Sequence, residues 1–192
     1  MAWLIAGLVV FLGAHSVRIV ADGWRSRRIA AMGEGPWKGL FSVVSLAGFV
    51  LIVWGYGQTR IDPVELWQPP RWTAHATALL TLLAFVLIAA ANVPGNHFKQ
   101  VLGHPMVAGV KLWAFAHLLS NGRLGDVVLF GAILVWAIVD FASARRRDRA
   151  AGRRYPEGRA GKDVAAVVAG VAVWAVFAFL LHGPLIGVRP FG

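Results

Sequence analysis

The residues of this sequence that are suited to chemistry are a few polar side chains within or at the ends of long apolar segments. They are His15, Arg18, His75, His104, Lys111, His117 and Asp140. A polar or charged group in hydrocarbon is costly unless it has a partner or a function. Since the chain has no cysteine, any chemistry depends on imidazoles, charged side chains, hydroxyls or a cofactor.

Depth along the expected helices groups the histidines into two pairs. A rise of about 1.5 Å per residue puts His15 and His104 near one membrane face and His75 and His117 near the other. A bis-histidine b-type haem needs two neutral imidazoles at similar depth on opposite sides of its ring. Both pairs meet the requirement of similar depth. Each histidine is explained about equally well as a hydrogen-bonded packing residue between helices.

Two cations accompany these histidines. Arg18 follows His15 by one helical turn and is placed to hold a haem propionate or another anion. Lys111 lies seven residues after His104, so both side chains fall on nearly the same helical face and are placed to line one pocket. A lysine near the membrane midplane is far from water and needs a buried partner. Asp140 and a bound anion are the two alternatives.

These side chains must be positioned by membrane-spanning helices. Of the residues, 58% are hydrophobic and only 15% are charged, against roughly 25% charged in soluble domains. The predicted spans, each near the length that crosses a bilayer, are 2–20, 39–57, 74–93, 105–120, 125–141 and 163–182. The sequence therefore predicts an all-α fold, a single polytopic transmembrane domain of about six helices over 1–192.

The distribution of Lys and Arg predicts the orientation of these spans. Thirteen of them lie in segments 21–38, 94–104 and 142–162, whereas the alternate segments hold only Arg60, Arg71, Arg123 and Arg189. Basic loops stay in the cytoplasm, so both termini are expected on the extracytoplasmic side. The segment 142–162 is interpreted as a solvated basic linker. The net charge of +10 is accordingly assigned to topology and lipid headgroups, with no nucleic acid as partner.

Small residues and turns suggest how the spans pack. Gly7 and Gly48 lie in the middle of apolar segments, where glycine usually permits close helix contact. The segment 121–124 is short and polar, so the fourth and fifth spans are expected to form a helical hairpin.

One segment resembles a known family. Residues 104–122, HPMVAGVKLWAFAHLLSNG, closely resemble the characteristic core of the NnrU family of membrane proteins. The stretch Gly13-Ala14-His15-Ser16 with Arg18 is similar to the opening helix of that family, and the stretch from Leu129 to Asp140, followed by an arginine run, also fits. The resemblance extends over about 1–150 and, more loosely, over the last helix.

The resemblance implies a protein of the bacterial inner membrane associated with nitrite and nitric oxide metabolism in denitrification. A plant and cyanobacterial relative, 15-cis-zeta-carotene isomerase, uses histidine-ligated b-type haem to isomerise a carotenoid. The positions that match its ligands are His15 together with His104 or His117. That relative also exchanges a haem ligand with a cysteine, and this chain has none.

Two hypotheses of different class follow. In the first, the protein binds b-type haem between its helices and performs redox-linked or isomerase-like chemistry on a small or lipophilic substrate. In the second, it is a non-catalytic assembly or accessory factor for respiratory nitrogen-oxide enzymes, and its histidines and Lys111 join helices. A transporter is a third, weaker reading, since Lys111 alone is a thin basis for a substrate path.

Overall fold

The computed structural model describes residues 1–191 and is almost entirely helical. The helices are α1 (Ala2–Val20), α2 (Asp22–Met32), α3 (Glu34–Thr59), α4 (Trp72–Asn92), α5 (His97–Leu102), α6 (Pro105–Ser120), α7 (Leu124–Ala150), α8 (Ala160–Ala175) and, after a π-helical segment at Val176–Leu181, α9 (His182–Ile186). Over the described residues no β-strand forms, and the only strand-like pairing is an isolated bridge between Glu65 and Arg123. The predicted all-α fold is confirmed.

Five helical segments are long and apolar enough to cross a membrane. They are Ala2–Val20, Glu34–Thr59, Trp72–Asn92, Leu124–Ala150 and Ala160–Ile186. The predicted span 105–120 coincides with α6, whose 16 residues measure about 24 Å, less than the roughly 30 Å of a hydrocarbon core. The chain is thus a multi-pass membrane protein, and a sixth crossing by α6 stays a prediction.

Helix α7 extends beyond its predicted end. It runs to Ala150, nine residues past the predicted end of the span at 141, so the first part of the basic linker 142–162 is helical. Alanine and arginine are strong helix formers, and they continue the helix past its apolar part. Hydropathy marks where a helix leaves hydrocarbon, whereas the helix itself ends where its local propensity ends.

The chain divides into two compact units. The first contains residues 1–67 and 122–136, and the second contains residues 68–121 and those from 137 onward. Helix α7 contributes its first half to the first unit and its second half to the second. Each unit is described by itself.

In the first unit, α1 and α3 pack closely and antiparallel. The contacts that define their register are Leu4 with Gly55, Gly7 with Ile52 and Phe11 with Gly48. A β-carbon added at Gly48 would lie 2.7 Å from the backbone nitrogen of Phe11, and one at Gly7 would lie 2.5 Å from that of Ile52. Only glycine allows backbones to approach so closely, which confirms the packing role predicted for Gly7 and Gly48.

The end of α3 is fastened to the start of α7 within the same unit. The Tyr56 hydroxyl donates to Asp126 Oδ1 at 2.6 Å, and the backbone nitrogen of Leu124 donates to the Val64 carbonyl at 2.9 Å. Asp126 is buried, and its carboxylate lies in the first turn of α7, where the helix dipole favours a negative charge. These bonds fix the relative height of α3 and α7.

In the second unit, α4 and α6 pack antiparallel. A β-carbon at Gly109 would lie 2.7 Å from the carbonyl oxygen of Ala84, and the Thr77 hydroxyl donates to the Ala116 carbonyl at 2.8 Å. Because α6 runs beside the greater part of α4, it covers much of the same depth. This arrangement supports the prediction that α6 also crosses.

Helix α8 packs against another part of α4. A β-carbon at Gly170 would lie 2.5 Å from the Val86 Cα atom. The Trp174 indole Nε1 donates to Thr81 Oγ1 at 3.1 Å. The last long helix is therefore part of the second unit's packing and shares α4 with α6.

Changing Gly48 to alanine should destabilise the protein. The added methyl group collides with the backbone of Phe11, and overpacking of this kind costs about 1–3 kcal/mol. The free energy of unfolding, measured by far-ultraviolet circular dichroism during sodium dodecyl sulfate titration of the protein in mild detergent, checks this. The matched control is Gly39→Ala, because a β-carbon there meets no atom within 4 Å. Equal free energies of unfolding for the two variants would contradict the packing described for α1 and α3.

Candidate functional site

His15 lies near the end of α1 and its ring is oriented by the helix itself. Its Nδ1 atom is 2.7 Å from the Phe11 carbonyl oxygen, one turn earlier. Because a carbonyl oxygen only accepts hydrogen bonds, Nδ1 carries the proton and Nε2 carries the lone pair. Histidines that ligate metals commonly have this arrangement, in which one ring nitrogen donates to a backbone carbonyl and the other faces the metal.

Aromatic rings surround His15 within the first unit. The ring centroids of Phe11, Phe41 and Trp136 lie 4.2, 5.0 and 5.9 Å from that of the imidazole. Phe41 belongs to α3 and Trp136 to α7, so three helices meet at this point. Such rings keep water away and raise the strength of any electrostatic interaction inside the group.

Ser45 belongs to the same group by its position on α3. In each contact between α1 and α3 described above, the two residue numbers have the same sum. The same register places Ser45 opposite Ala14 and beside His15. The hydrogen bond between Tyr56 and Asp126 places Trp136, ten residues later on α7, at the height of Ser45. We call His15, Phe11, Phe41, Ser45 and Trp136 the His15 cluster.

Two polar atoms of the His15 cluster are buried without a partner. Ser45 Oγ and Trp136 Nε1 have no hydrogen bond to any described residue. Buried donors in native proteins are nearly always paired, and a lost pairing costs about 1–3 kcal/mol. The two groups therefore mark a place where a bound molecule would supply an acceptor.

An apolar groove lies along α1 and α7, about one helical turn from the His15 cluster. It has a volume of about 340 Å³ and is lined by Ile5, Leu8, Val9, Leu12, Val128 and Ala132. Leu12 precedes His15 by one turn, and Ala132 precedes Trp136 by one turn, so the two walls of the groove continue into the cluster. Val9 is 67% exposed, which means that the groove opens towards the surrounding lipid.

Arg18 lies on the exposed side of the end of α1. Its Nε atom is 3.9 Å from Asp22 Oδ1, and Arg25 approaches the same carboxylate oxygen at 3.7 Å. Exposed ion pairs of this length contribute little, so Arg18 is not fixed by Asp22. Its suggested contact with a haem propionate stays a prediction.

His104 is the centre of a hydrogen-bonded group in the second unit. Its Nε2 atom is 2.8 Å from Asp148 Oδ2, and the Tyr155 hydroxyl donates to that same oxygen at 2.6 Å. Since the carboxylate accepts, His104 carries its proton on Nε2. An iron bound by His104 would thus have to use Nδ1 or displace the hydrogen bond to Asp148. At His15, by contrast, Nε2 is available without breaking the bond of Nδ1.

Tyr155 closes this group from the segment after α7. Its ring lies against Gly103, where a β-carbon would be 2.8 Å from Tyr155 Cε2 and where φ is +72°, a value that favours glycine. Burial raises the pKa of the Tyr155 hydroxyl, and the hydrogen bond to Asp148 raises it further. Tyr155 therefore stays protonated near neutral pH and remains a donor to Asp148.

Lys111 has an aromatic partner. Its Nζ atom lies 4.7 Å from the centroid of the Phe141 ring, and the His104 ring lies 6.5 Å from the same centroid. A cation over an aromatic face is stabilised more strongly when water is excluded. Lys111 and His104 thus share Phe141 as a neighbour, and the pocket that they were expected to line together stays a prediction. No ion pair joins Lys111 to Asp140 among the described residues.

His117 and His75 differ in their surroundings. His117 Nδ1 is 2.9 Å from the Trp113 carbonyl oxygen, the same one-turn arrangement as at His15, and its ring is 4.7 Å from that of Trp113. His75 is exposed in the first turn of α4. The two stand at similar heights along α4 and α6, and their suggested joint ligation of haem stays a prediction.

The basic segment after α7 is docked and not merely solvated. The backbone nitrogen of His97 on α5 donates to Asp163 Oδ1 at 2.7 Å, and the His97 Nδ1 atom lies 2.6 Å from Asp163 Oδ2. The Arg159 backbone nitrogen donates to the Gly95 carbonyl at 2.9 Å. Asn96, which is fully buried, caps α5 by accepting from Lys99. The two segments together form a folded connection around His104.

Sequence reasoning missed the carboxylates that organise both units. Asp126 lies at the start of the predicted span 125–141 and Asp148 lies beyond its end, in the basic segment that was interpreted as a solvated linker. A carboxylate in the middle of an arginine run, as at Asp148, was the available signal, because it differs from its neighbours in sign. Tyr155 gave no signal, since only the fold brings it to His104.

Comparison with known proteins identifies a family for this chain. Neither a curated protein nor a solved structure is significantly similar to the chain. A family model described as NnrU protein matches residues 3–190, which includes every histidine discussed above. The match covers nearly the whole chain, and the chain therefore belongs to the NnrU family.

Proposed function

We propose that this NnrU family protein binds a b-type haem through His15 and acts in redox-linked or isomerase-like chemistry on a small or lipophilic molecule. The observation that carries the proposal is the hydrogen bond from His15 Nδ1 to the Phe11 carbonyl at 2.7 Å. It leaves Nε2 as the ligating nitrogen, as haem iron requires of a neutral imidazole.

The residues around His15 fit a large apolar prosthetic group. Phe11, Phe41 and Trp136 offer flat apolar surfaces to a porphyrin. Apolar rings around the ligating imidazole are expected of a site that is completed by a flat bound group.

Each residue then has a defined task. His15 binds the iron, and the Phe11 carbonyl fixes its ring and tautomer. Phe41 and Trp136 exclude water. Arg18 is within one turn of His15 and is exposed, so it is available to a propionate at the membrane surface. A bound haem would supply one-electron exchange and a Lewis-acidic iron.

The proposed location is the bacterial inner membrane, with the most basic segments in the cytoplasm. The segments 94–104 and 142–162 contain Lys99 and a run of arginines, whereas segment 58–73 has only Arg60 and Arg71. The positive-inside tendency places the first two on the cytoplasmic side and the third outside. A place in nitrogen-oxide metabolism rests on the family resemblance alone.

Absorption spectroscopy should reveal the haem. The protein, expressed with haem supplementation and purified in mild detergent, is expected to show sharp b-type bands at near-stoichiometric yield in its reduced-minus-oxidised spectrum. His15→Gln should lose at least about nine tenths of the haem, because glutamine fills the space of the imidazole without ligating iron.

His182→Gln is the matched control. His182 Nδ1 likewise donates to a backbone carbonyl, that of Val188, at 2.7 Å, but His182 lies outside the His15 cluster. The variants His104→Gln, His117→Gln and His75→Gln in the same series identify a second axial ligand by a change in the low-spin bands. A colourless wild-type protein, or full haem in His15→Gln, would contradict the proposal and favour the accessory factor.

Labelling of single cysteines should reveal the orientation. Because the chain has no native cysteine, Ile61→Cys and Arg154→Cys each introduce one reactive thiol at an exposed position. A membrane-impermeant maleimide is expected to label Ile61→Cys in cells with a permeable outer membrane, and Arg154→Cys only in inverted inner-membrane vesicles. The opposite pattern would reverse the topology, and the unsubstituted protein gives the background.

A further inference from the structure

The His15 cluster has two features that haem ligation by His15 does not use. The first is the pair of unpaired donors, Ser45 Oγ and Trp136 Nε1. The second is the apolar groove beside the cluster, whose lining residues Leu12 and Ala132 each lie one helical turn before a cluster residue, His15 and Trp136. A molecule with a hydrogen-bond acceptor at one end and a long apolar portion at the other would satisfy both.

The charges near the cluster restrict the acceptor to a neutral group. The cluster contains no Asp, Glu, Lys or Arg. The nearest cation on α1, Arg18, is exposed beside Asp22. A carboxylate or phosphate placed here would be buried without a counter-ion, which is costly. A neutral carbonyl oxygen accepts two hydrogen bonds at no such cost.

The aromatic rings favour a flat head group. The rings of Phe11, Phe41 and Trp136 surround the imidazole at centroid distances of 4.2 to 5.9 Å. The faces and edges of these rings are suited to offset or edge-to-face contact with a planar group. A planar head with neutral carbonyls and an apolar tail is the description of a lipid-soluble quinone.

We propose that the His15 cluster and the groove beside it bind a lipid-soluble quinone. Its ring carbonyls accept from Trp136 Nε1 and Ser45 Oγ, and its tail lies along Leu12, Leu8 and Ile5. The inference deepens the proposed function by naming the lipophilic molecule at that site. None of these proposed quinone contacts involves the haem. Quinone binding can therefore be measured on the protein both with and without haem.

The test is equilibrium binding of decylubiquinone to the purified protein, with decylbenzene as the probe that keeps a ring and tail but lacks carbonyls. Trp136→Phe removes one donor and keeps an aromatic ring, and it should weaken decylubiquinone binding about three- to tenfold, as expected for one lost hydrogen bond. Ser45→Ala should have a similar effect. Neither variant should change the binding of decylbenzene.

Two control variants separate the donors from general effects on packing. Trp174→Phe removes an indole nitrogen that is already paired with Thr81 in the second unit, and Ser42→Ala removes an exposed hydroxyl on α3. Both should bind decylubiquinone like the unsubstituted protein. The infrared carbonyl stretch of bound decylubiquinone should rise in frequency in Trp136→Phe, because a carbonyl that loses a hydrogen bond stiffens.

The outcomes distinguish this inference from the proposed function. Equal decylubiquinone affinity in Trp136→Phe and the unsubstituted protein would overturn it, as would equal affinity for the two probes, which would assign the groove to hydrocarbon chains alone. Haem bands without quinone binding would leave the proposed function standing and remove the inference. If a protein without haem bands bound decylubiquinone and lost affinity in Trp136→Phe, the inference would stand and the proposed haem binding would be contradicted.

Discussion

The structure depends on one constraint, that polar groups surrounded by hydrocarbon must find partners inside the protein. His15 and His117 each donate to the carbonyl one turn earlier. Thr77 reaches across to a carbonyl of α6, and Trp174 reaches across to Thr81. These polar side chains thus find partners either within their own helix or on a neighbouring one. The exceptions at Ser45 and Trp136 are informative because the rule is otherwise followed.

The same constraint explains why the carboxylates gather near helix ends. Asp126 accepts from Tyr56 at the start of α7, and Asp148 accepts from His104 and Tyr155 towards its other end. Each carboxylate accepts short hydrogen bonds there. Helix α7 is thereby held near each end by bonds to an aspartate side chain.

The sequence was sufficient to predict the long apolar helices, but it was insufficient to predict the partners of the polar residues. The span 2–20 matches α1 at both ends, and 105–120 matches α6 likewise, because hydropathy and the Pro105 start signal are local. Gly48 was also readable, since glycine within an apolar run has few other roles. By contrast, the pairing of His104 with Tyr155 joins residues 51 positions apart, and no local pattern contains it. Phe141 as the partner of Lys111 was hidden for the same reason, because its ring resembles any other apolar residue in a span.

The shortness of α6 has a consequence for the surrounding bilayer. Its 16 residues cover about 24 Å, whereas the 21 residues of the neighbouring α4 cover about 32 Å. The two helices therefore present different hydrophobic lengths to the same membrane. Hydrophobic mismatch is relieved by thinning of the bilayer or by tilting of the longer helix, at a fraction of a kcal/mol per Å. Where α6 crosses the bilayer, the lipids beside it are consequently expected to be compressed, and membrane thickness becomes a variable for the packing of α6 against α4.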